Sequence, residues 1–195
     1  MKSVTTKYYD KNAERWAAVK ANSFYQEKPF RVFEKMLKKN DLVIDIGCAY
    51  GIHVPLFLGI GRKLKYEGID ISKSMIKLAR SRYSQIEFRI ADAVTFKTRE
   101  KYDAFWSAAT LMHVPRKNWP ALLSNIERRV KRGGVGYITL PSIRPNPASK
   151  EDRRYFELFN KKEFRKIIEN RGWKVLKSGD LEAKSPWHWY IVRLP

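Results

Sequence analysis

Short apolar runs alternate along this chain with segments in which apolar residues return every third or fourth position. Residues 42–46, 65–69, 86–90, 102–107 and 135–140 have strand length, and residues 173–176 and 187–192 add two more runs near the end. Between them, Met75, Ile76, Leu78 and Ala79 give a helix one buried face, with Ser72 placed to cap its first turn. Trp119, Leu122, Leu123, Ile126 and Val130 repeat at helical spacing. Pro120 sits in the first turn of that helix, and Gly133-Gly134 is expected to stop it. Phe164, Ile167 and Ile168 mark another helix, closed by Gly172, and two helices precede the first strand. Strands alternating with helices predict an α/β fold, a doubly wound, mostly parallel sheet with helices on both faces.

Composition narrows the picture without naming an activity. A chain of 195 residues with 44% hydrophobic and 13% aromatic content can bury a proper core, and a single domain over 1–195 is expected. Within it, 1–40 are read as N-terminal lid helices, 41–140 as a binding core, and 141–195 as a substrate-side insertion followed by the last strands. No apolar run reaches the length needed to span a bilayer, so no membrane association is expected. The first residues lack the apolar core of a signal peptide, and Cys48 is the only cysteine, so the expected compartment is cytoplasmic. The net charge of +20 attracts polyanions. It is spread evenly along the chain, with no basic tail, which fits a solvated basic surface as well as an RNA-binding face.

The densest chemistry lies at residues 42–51, Leu-Val-Ile-Asp-Ile-Gly-Cys-Ala-Tyr-Gly. An apolar strand ends in Asp45, and a loop with Gly47 and Gly51 follows. About 20 residues on, the next strand ends in Asp70, a spacing that suits a carboxylate accepting hydrogen bonds from ribose hydroxyls. Glycines allow backbone to approach a ligand closely. A dinucleotide loop would place three glycines beneath a pyrophosphate. Asp45, two residues before Gly47, is a poor neighbour for phosphate and a good one for a cofactor with a cationic end. That chemistry disfavours NAD and favours S-adenosylmethionine, whose sulfonium and ammonium are both positive.

At these residues the chain resembles the class I S-adenosylmethionine-dependent methyltransferases. Their glycine-rich motif is D-x-G-x-G-x-G, and Ala49 stands here at the middle glycine. Further resemblance lies in the strand and acid of residues 86–93 ending Asp92-Ala93, in residues 102–115 around the fourth strand, and in Lys131-Arg132-Gly133-Gly134 before the fifth. The resemblance spans roughly residues 5 to 193 and adds an antiparallel seventh strand to a Rossmann-like, seven-stranded sheet.

It implies roles residue by residue. Asp45 lies near the methionine ammonium, and Gly47, Cys48, Ala49 and Gly51 shape the loop. Asp70 holds the ribose hydroxyls, Ile71 and Met75 pad the adenine, Asp92 and Ala93 receive its amino group, and Ala108 lies under the methionine part. Plainer roles stand beside these: Asp45 as a helix-start acid, Met75 as core, Asp92 as a loop cap. The demethylated product is S-adenosylhomocysteine. His113 follows the fourth strand and is a candidate general base, or a structural histidine bonded to backbone. Tyr8 and Tyr9, in a Y-Y-D-x-N-A stretch like the lid helix of many small methyltransferases, are candidates for the substrate side, with Trp187 bordering the pocket. Alternation along the last strand puts Trp187 and Trp189 on one face and His188 on the other.

Methyl transfer is a direct displacement in which alignment and exclusion of water do most of the work. The expected acceptor is a small molecule. The alternatives are RNA (tRNA or rRNA), supported by the basic residues at 150, 153, 154, 161, 162, 165 and 166 and opposed by Glu151, Asp152, Glu157 and Glu163, and a cofactor-binding module without catalysis. An amino-DNA methyltransferase signature is missing after the fourth strand, where Ser107-Ala108-Ala109-Thr110 stand, and no cluster has metal-ligand spacing. The sequence leaves the oligomeric state open.

Overall fold

A computed structural model describes residues 3–20, 26–143, 145, 147, 150, 152–181 and 187–195; of Val19 and Lys20 only the backbone is described. One sheet holds seven strands: β1 (Leu42–Ile46), β2 (Lys65–Asp70), β3 (Glu87–Ile90), β4 (Tyr102–Ser107), β5 (Val130–Pro141), β6 (Lys174–Asp180) and β7 (Trp187–Arg193). Their order is β3-β2-β1-β4-β5-β7-β6. The first five strands pair in parallel, and β7 lies antiparallel between β5 and β6. The helices are α1 (Val4–Lys20), α2 (Glu27–Phe33), α3 (Val54–Leu58), α4 (Lys73–Arg82), α5 (Trp119–Arg129) and α6 (Lys161–Glu169).

The central strands are apolar on both faces, as a parallel sheet covered by helices requires. Ile44, Ile46, Phe105 and Ile138 pack on one side with Leu122, Leu123 and Ile126 of α5 and Phe164 and Ile168 of α6. Val43, Trp106 and Tyr137 pack on the other with Phe30 and Phe33 of α2, Phe57 of α3 and Ile76 of α4. Trp106 and Tyr137 stack, centroids 3.7 Å apart. A smaller cluster joins Ala13 and Ala17 of α1 to Met75 of α4 and Tyr50 of the β1–α3 loop, seating α1 on that loop.

Ser72 caps α4 as expected, its hydroxyl accepting from Met75 N at 3.2 Å. Asn160 caps α6 by accepting from Glu163 N at 2.8 Å. One boundary differs from the sequence reading. Gly133-Gly134 does not end α5, which stops at Arg129; Val130 already begins β5 opposite Tyr102. Val130 is buried at the sheet, so its backbone is drawn into strand pairing before the glycines are reached. Trp187 and Trp189 also part company: Trp187, at the mouth of β7, packs with the α5–α6 side and Trp189 with the α2–α4 side.

Candidate cofactor and acceptor site

The parallel strands β1, β2, β3 and β4 end at one edge of the sheet, and the expected site residues gather there. Gly47 N and Cys48 N donate to the Ile69 carbonyl at 2.7 and 3.0 Å, folding the loop back over the end of β2. Gly47, Ala49 and Gly51 all have positive φ, at 83°, 48° and 78°. Ala49 therefore holds a left-handed backbone that costs an L-residue roughly 1–2 kcal/mol. A side chain on Gly47 would meet Thr110, its Cβ lying 2.0 Å from Thr110 Oγ1. The close approach at Gly47 is thus to the loop after β4. Cys48 is fully buried, and burial pushes its thiol well above the usual range.

Asp45 is wholly buried, but not as a helix-start acid on backbone N–H groups. Its Oδ2 accepts from Tyr66 Oη at 2.6 Å and lies 3.1 Å from His53 Nδ1, while Oδ1 is buried without a hydrogen-bond partner. Asp70 Oδ2 accepts from Ala49 N at 3.0 Å and Oδ1 from Ser72 N at 2.8 Å. Desolvation pushes Asp70 up to about 6, against the pull of those two N–H groups; Asp45 and Asp10 add to the rise. Asp92 is exposed and caps its own loop by accepting from Val94 N at 2.8 Å. Ala93 is half-buried against the α5 side, and its carbonyl accepts from Asn125 at 3.3 Å. Ile71 is 44% exposed beside Asp70, as an aromatic-ring platform would be, whereas Met75 is buried between α4 and α1. Ala108 is buried at the end of β4.

On the acceptor side, α1, the loop after β4 and residues 152–159 converge. His113 Nδ1 lies 2.6 Å from the Tyr155 carbonyl, which can only accept, so Nδ1 carries the proton. Nε2 is then the acceptor for the Tyr9 hydroxyl at 3.0 Å. Tyr9 Oη in turn accepts from Arg154 Nη1 at 2.7 Å. Arg154 is buried in a fork on Asp152, with Nε–Oδ1 2.9 Å and Nη2–Oδ2 2.6 Å. Its guanidinium lies over Tyr8, Tyr9, Trp16 and Phe156 at 4.9, 5.3, 5.1 and 5.2 Å. Burial lowers His113 to about 4, with Arg154 adding to the fall. Burial also raises Tyr9, opposed by Arg154.

Two of the three tyrosine and histidine candidates therefore touch, and Tyr8 packs edge-on against Tyr9. Trp187 is placed at the start of β7, opposite Pro141, and His188 pairs with Asp180 at 2.6 Å between β6 and β7. The sequence reading gave no site role to His53, Tyr66, Thr110, Asp152 or Asp10. Asp10 Oδ1 accepts from Ser72 Oγ at 2.7 Å and Ser74 N at 3.2 Å, tying α1 to the start of α4. Only Asp10 carried a signal, as the acid of Tyr8-Tyr9-Asp10. Among the described residues no group of three or more His, Cys, Asp or Glu could hold a metal ion, and no helix is long and apolar enough to cross a membrane.

A Rossmann-like sheet of this order, with acids at or just beyond the carboxyl ends of β1, β2 and β3 around a loop of positive φ, has the layout of a nucleotide-cofactor fold. Residues 43–134 match the family model described as a methyltransferase domain. A trans-aconitate 2-methyltransferase from Variovorax paradoxus is 27% identical over 63% of this chain and 49% of its own length. The chain spans about half the length of the curated relatives it matches. Magnesium protoporphyrin IX methyltransferase from Synechocystis, solved with bound S-adenosylhomocysteine, superposes with a TM-score of 0.78 at 16% identity, covering 98% of each chain. A methyltransferase of Haloferax volcanii, solved in complex with the Trm112 activator, gives 0.79 at 15%, covering 96% of this chain and 97% of that one. Residues 43–134 of this chain are thus similar to a methyltransferase domain, and the chain shares its fold with solved S-adenosylmethionine-dependent methyltransferases.

Proposed function

We propose that this protein transfers the methyl group of S-adenosylmethionine to a small-molecule acceptor. When bound, the cofactor supplies an activated methyl; the protein's part is to bind, align and exclude water. The residues suit such a ligand: the unpartnered Asp45 Oδ1 calls for a cationic or water-borne donor, and among the described contacts no lysine or arginine bonds Asp45, Asp70 or Asp92. Asp45 would face the methionine ammonium and Asp70 the ribose hydroxyls. Asp92 with the Ala93 backbone would face the adenine amino group, with Ile71 against its ring. Gly47, Cys48, Ala49 and Gly51 would shape the loop around the methionine part, with Ala108 beneath it and Met75 holding α1 in place.

One observation carries the small-molecule reading. Tyr9, His113 and Arg154 form a mutually bonded wall between α1 and residues 152–156, with Arg154 buried and Tyr9 and His113 half-buried, which favours an acceptor space bounded by side chains. The RNA alternative is weakened at three of its basic residues, Arg154, Lys161 and Arg165, which are engaged by acids. Arg154 is buried on Asp152, Arg116 holds Glu157 and Glu163, Lys161 pairs with Asp180, and Arg165 pairs with Glu169. The domain layout over 1–195 and a cytoplasmic setting are part of the same reading. Methyl transfer from labelled cofactor into a metabolite extract, and not into cellular RNA, is the expected result. Transfer into RNA that disappears when exposed basic residues such as Arg153 are neutralised would overturn it.

A further inference from the structure

Basic residues that are spread evenly along the sequence are gathered in space by the sheet topology. At the edge opposite the cofactor loops, where the parallel strands begin, six adjacent strands each offer an exposed cation. Lys65 opens β2, Lys39 precedes β1, Lys101 precedes β4, Arg132 lies at the start of β5, Arg193 ends β7 and Lys174 opens β6. Arg132 stands clear of the ladder because residues 131–134 bulge between the pairings Tyr102–Val130 and Ala104–Val135. The outer strand β3 opens with Glu87 and lies beyond the row. Neighbouring strands lie about 4.8 Å apart, so the row runs about 24 Å.

The row is not neutralised. Among the described residues none of these six cations has an acid within ion-pair distance. The acids nearby are Asp103, Asp41 and Glu100. Asp103 is held by Lys131 Nζ at 2.5 Å and Leu42 N at 2.9 Å, and Asp41 accepts from Lys38 N at 2.7 Å. Lys174 and Arg193 stand directly opposite each other across β6 and β7. Like charges in that position repel and cost stability, which an anionic ligand would relieve. Of the large apolar side chains exposed among the described residues, none lies at these strand ends. A lipid surface or a tight protein partner would call for such anchors, whereas phosphates need cations alone.

We propose that this edge binds the phosphate backbone of single-stranded nucleic acid, as a tether apart from the site of methyl transfer. The inference goes beyond the small-molecule reading and does not depend on it. At the 3.4 Å per phosphate of a stacked strand, the row covers roughly seven nucleotides. Sheet twist turns neighbouring strands by about 20–25°, so the row curves through about 100° and suits a flexible strand better than a straight duplex. Contacts to phosphate alone position a strand without reading its bases. The five residues of β1 separate this edge from the cofactor loops by about 16 Å, so the bound strand is not the methyl acceptor.

The test follows a fluorescent oligouridine of about ten nucleotides by anisotropy, from about 50 to about 300 mM salt, as purified protein is added. A variant carrying Lys65→Gln, Lys101→Gln, Arg132→Gln and Lys174→Gln is compared with one of equal charge, Lys77→Gln, Lys117→Gln, Lys162→Gln and Lys166→Gln. The second set lies on α4, α6 and the turn before α5, and all four lysines are exposed. The edge variant is expected to lose about tenfold in affinity near 150 mM salt and about 3 in log–log salt slope, since each lost phosphate contact removes about 0.7. The control variant should stay within about threefold of the parent. Both should keep their thermal midpoint and S-adenosylhomocysteine affinity, which shows them folded and separates this edge from the cofactor site. Equal losses in the two variants would reduce the row to part of a diffuse basic surface and overturn the proposal. Tighter binding to a duplex of the same length, to polyglutamate or to phosphatidylserine vesicles would overturn it too. Methyl transfer into the bound strand would overturn the separation of tether and site, and the small-molecule reading with it.

Discussion

The Tyr9 hydroxyl lies 3.0 Å from His113 Nε2, joining residues 104 positions apart in the chain. Tyr9 comes from the N-terminal helix and His113 from the short helical turn after β4, so the contact fastens α1 over the carboxyl ends of the strands. It also decides the histidine's state, since the same ring donates to the Tyr155 carbonyl on its other side. Removing the hydroxyl takes one partner from half-buried His113 and one from buried Arg154. Tyr9→Phe is expected to lower stability by about 1–3 kcal/mol, the cost of an unsatisfied buried polar group. Chemical denaturation would check this, and an unchanged midpoint would show the bond to be dispensable.

Asp70 should make cofactor binding pH-dependent. Its folded pKa is raised, to about 6, so the folded cofactor-free protein binds the proton more tightly than the unfolded chain does. Asp70 therefore costs stability as pH rises from the ordinary carboxylate range to about 6, and that cost is complete above it. A ribose hydroxyl donating to the ionised carboxylate reverses the preference. S-adenosylhomocysteine affinity should thus fall as pH drops below about 6, approaching tenfold per unit. Calorimetry from pH 5 to 8 would check the slope, and Asp70→Ala should flatten it while weakening binding by roughly 1–3 kcal/mol at neutral pH.

Gly47→Val should damage the fold as well as the site. The added Cβ would sit 2.0 Å from Thr110 Oγ1 on a backbone with φ of 83°. Overpacking costs typically 1–3 kcal/mol, and the left-handed backbone adds to it. Thermal denaturation should show a lowered midpoint together with lost cofactor binding. A fully stable variant that merely fails to bind would place the clash with the ligand instead of Thr110.

Ala49→Gly should stabilise. Ala49 holds φ of 48° where glycine is at ease, and the relief outweighs glycine's extra chain entropy by about 0.5–1 kcal/mol. The hydrogen bond from residue 49 N to Asp70 is a backbone bond and survives the change. A rise in denaturation midpoint with cofactor affinity retained is the expected result.

The sequence by itself determined the sheet and the cofactor edge. Apolar runs bounded by loops gave the strands, and Asp45, Asp70 and Asp92 are legible because each lies at or just beyond the carboxyl end of a strand, a position fixed by local pattern. Ser72 is legible for the same reason, since a cap bonds its own first turn. What tertiary structure alone decided involves partners distant in sequence. Nothing local says that His53 and Tyr66 take one oxygen of Asp45, or that Thr110 fills the space beside Gly47. Arg154 reads as a member of a basic cluster, because charge along a chain does not reveal burial. Only the return of residues 152–156 beneath α1 buries it and sets it against the rings of Tyr8, Tyr9 and Trp16. The same packing turns His113 from a candidate base into a ring with both nitrogens engaged, because hydrogen-bond partners across 42 and 104 residues are chosen by the fold.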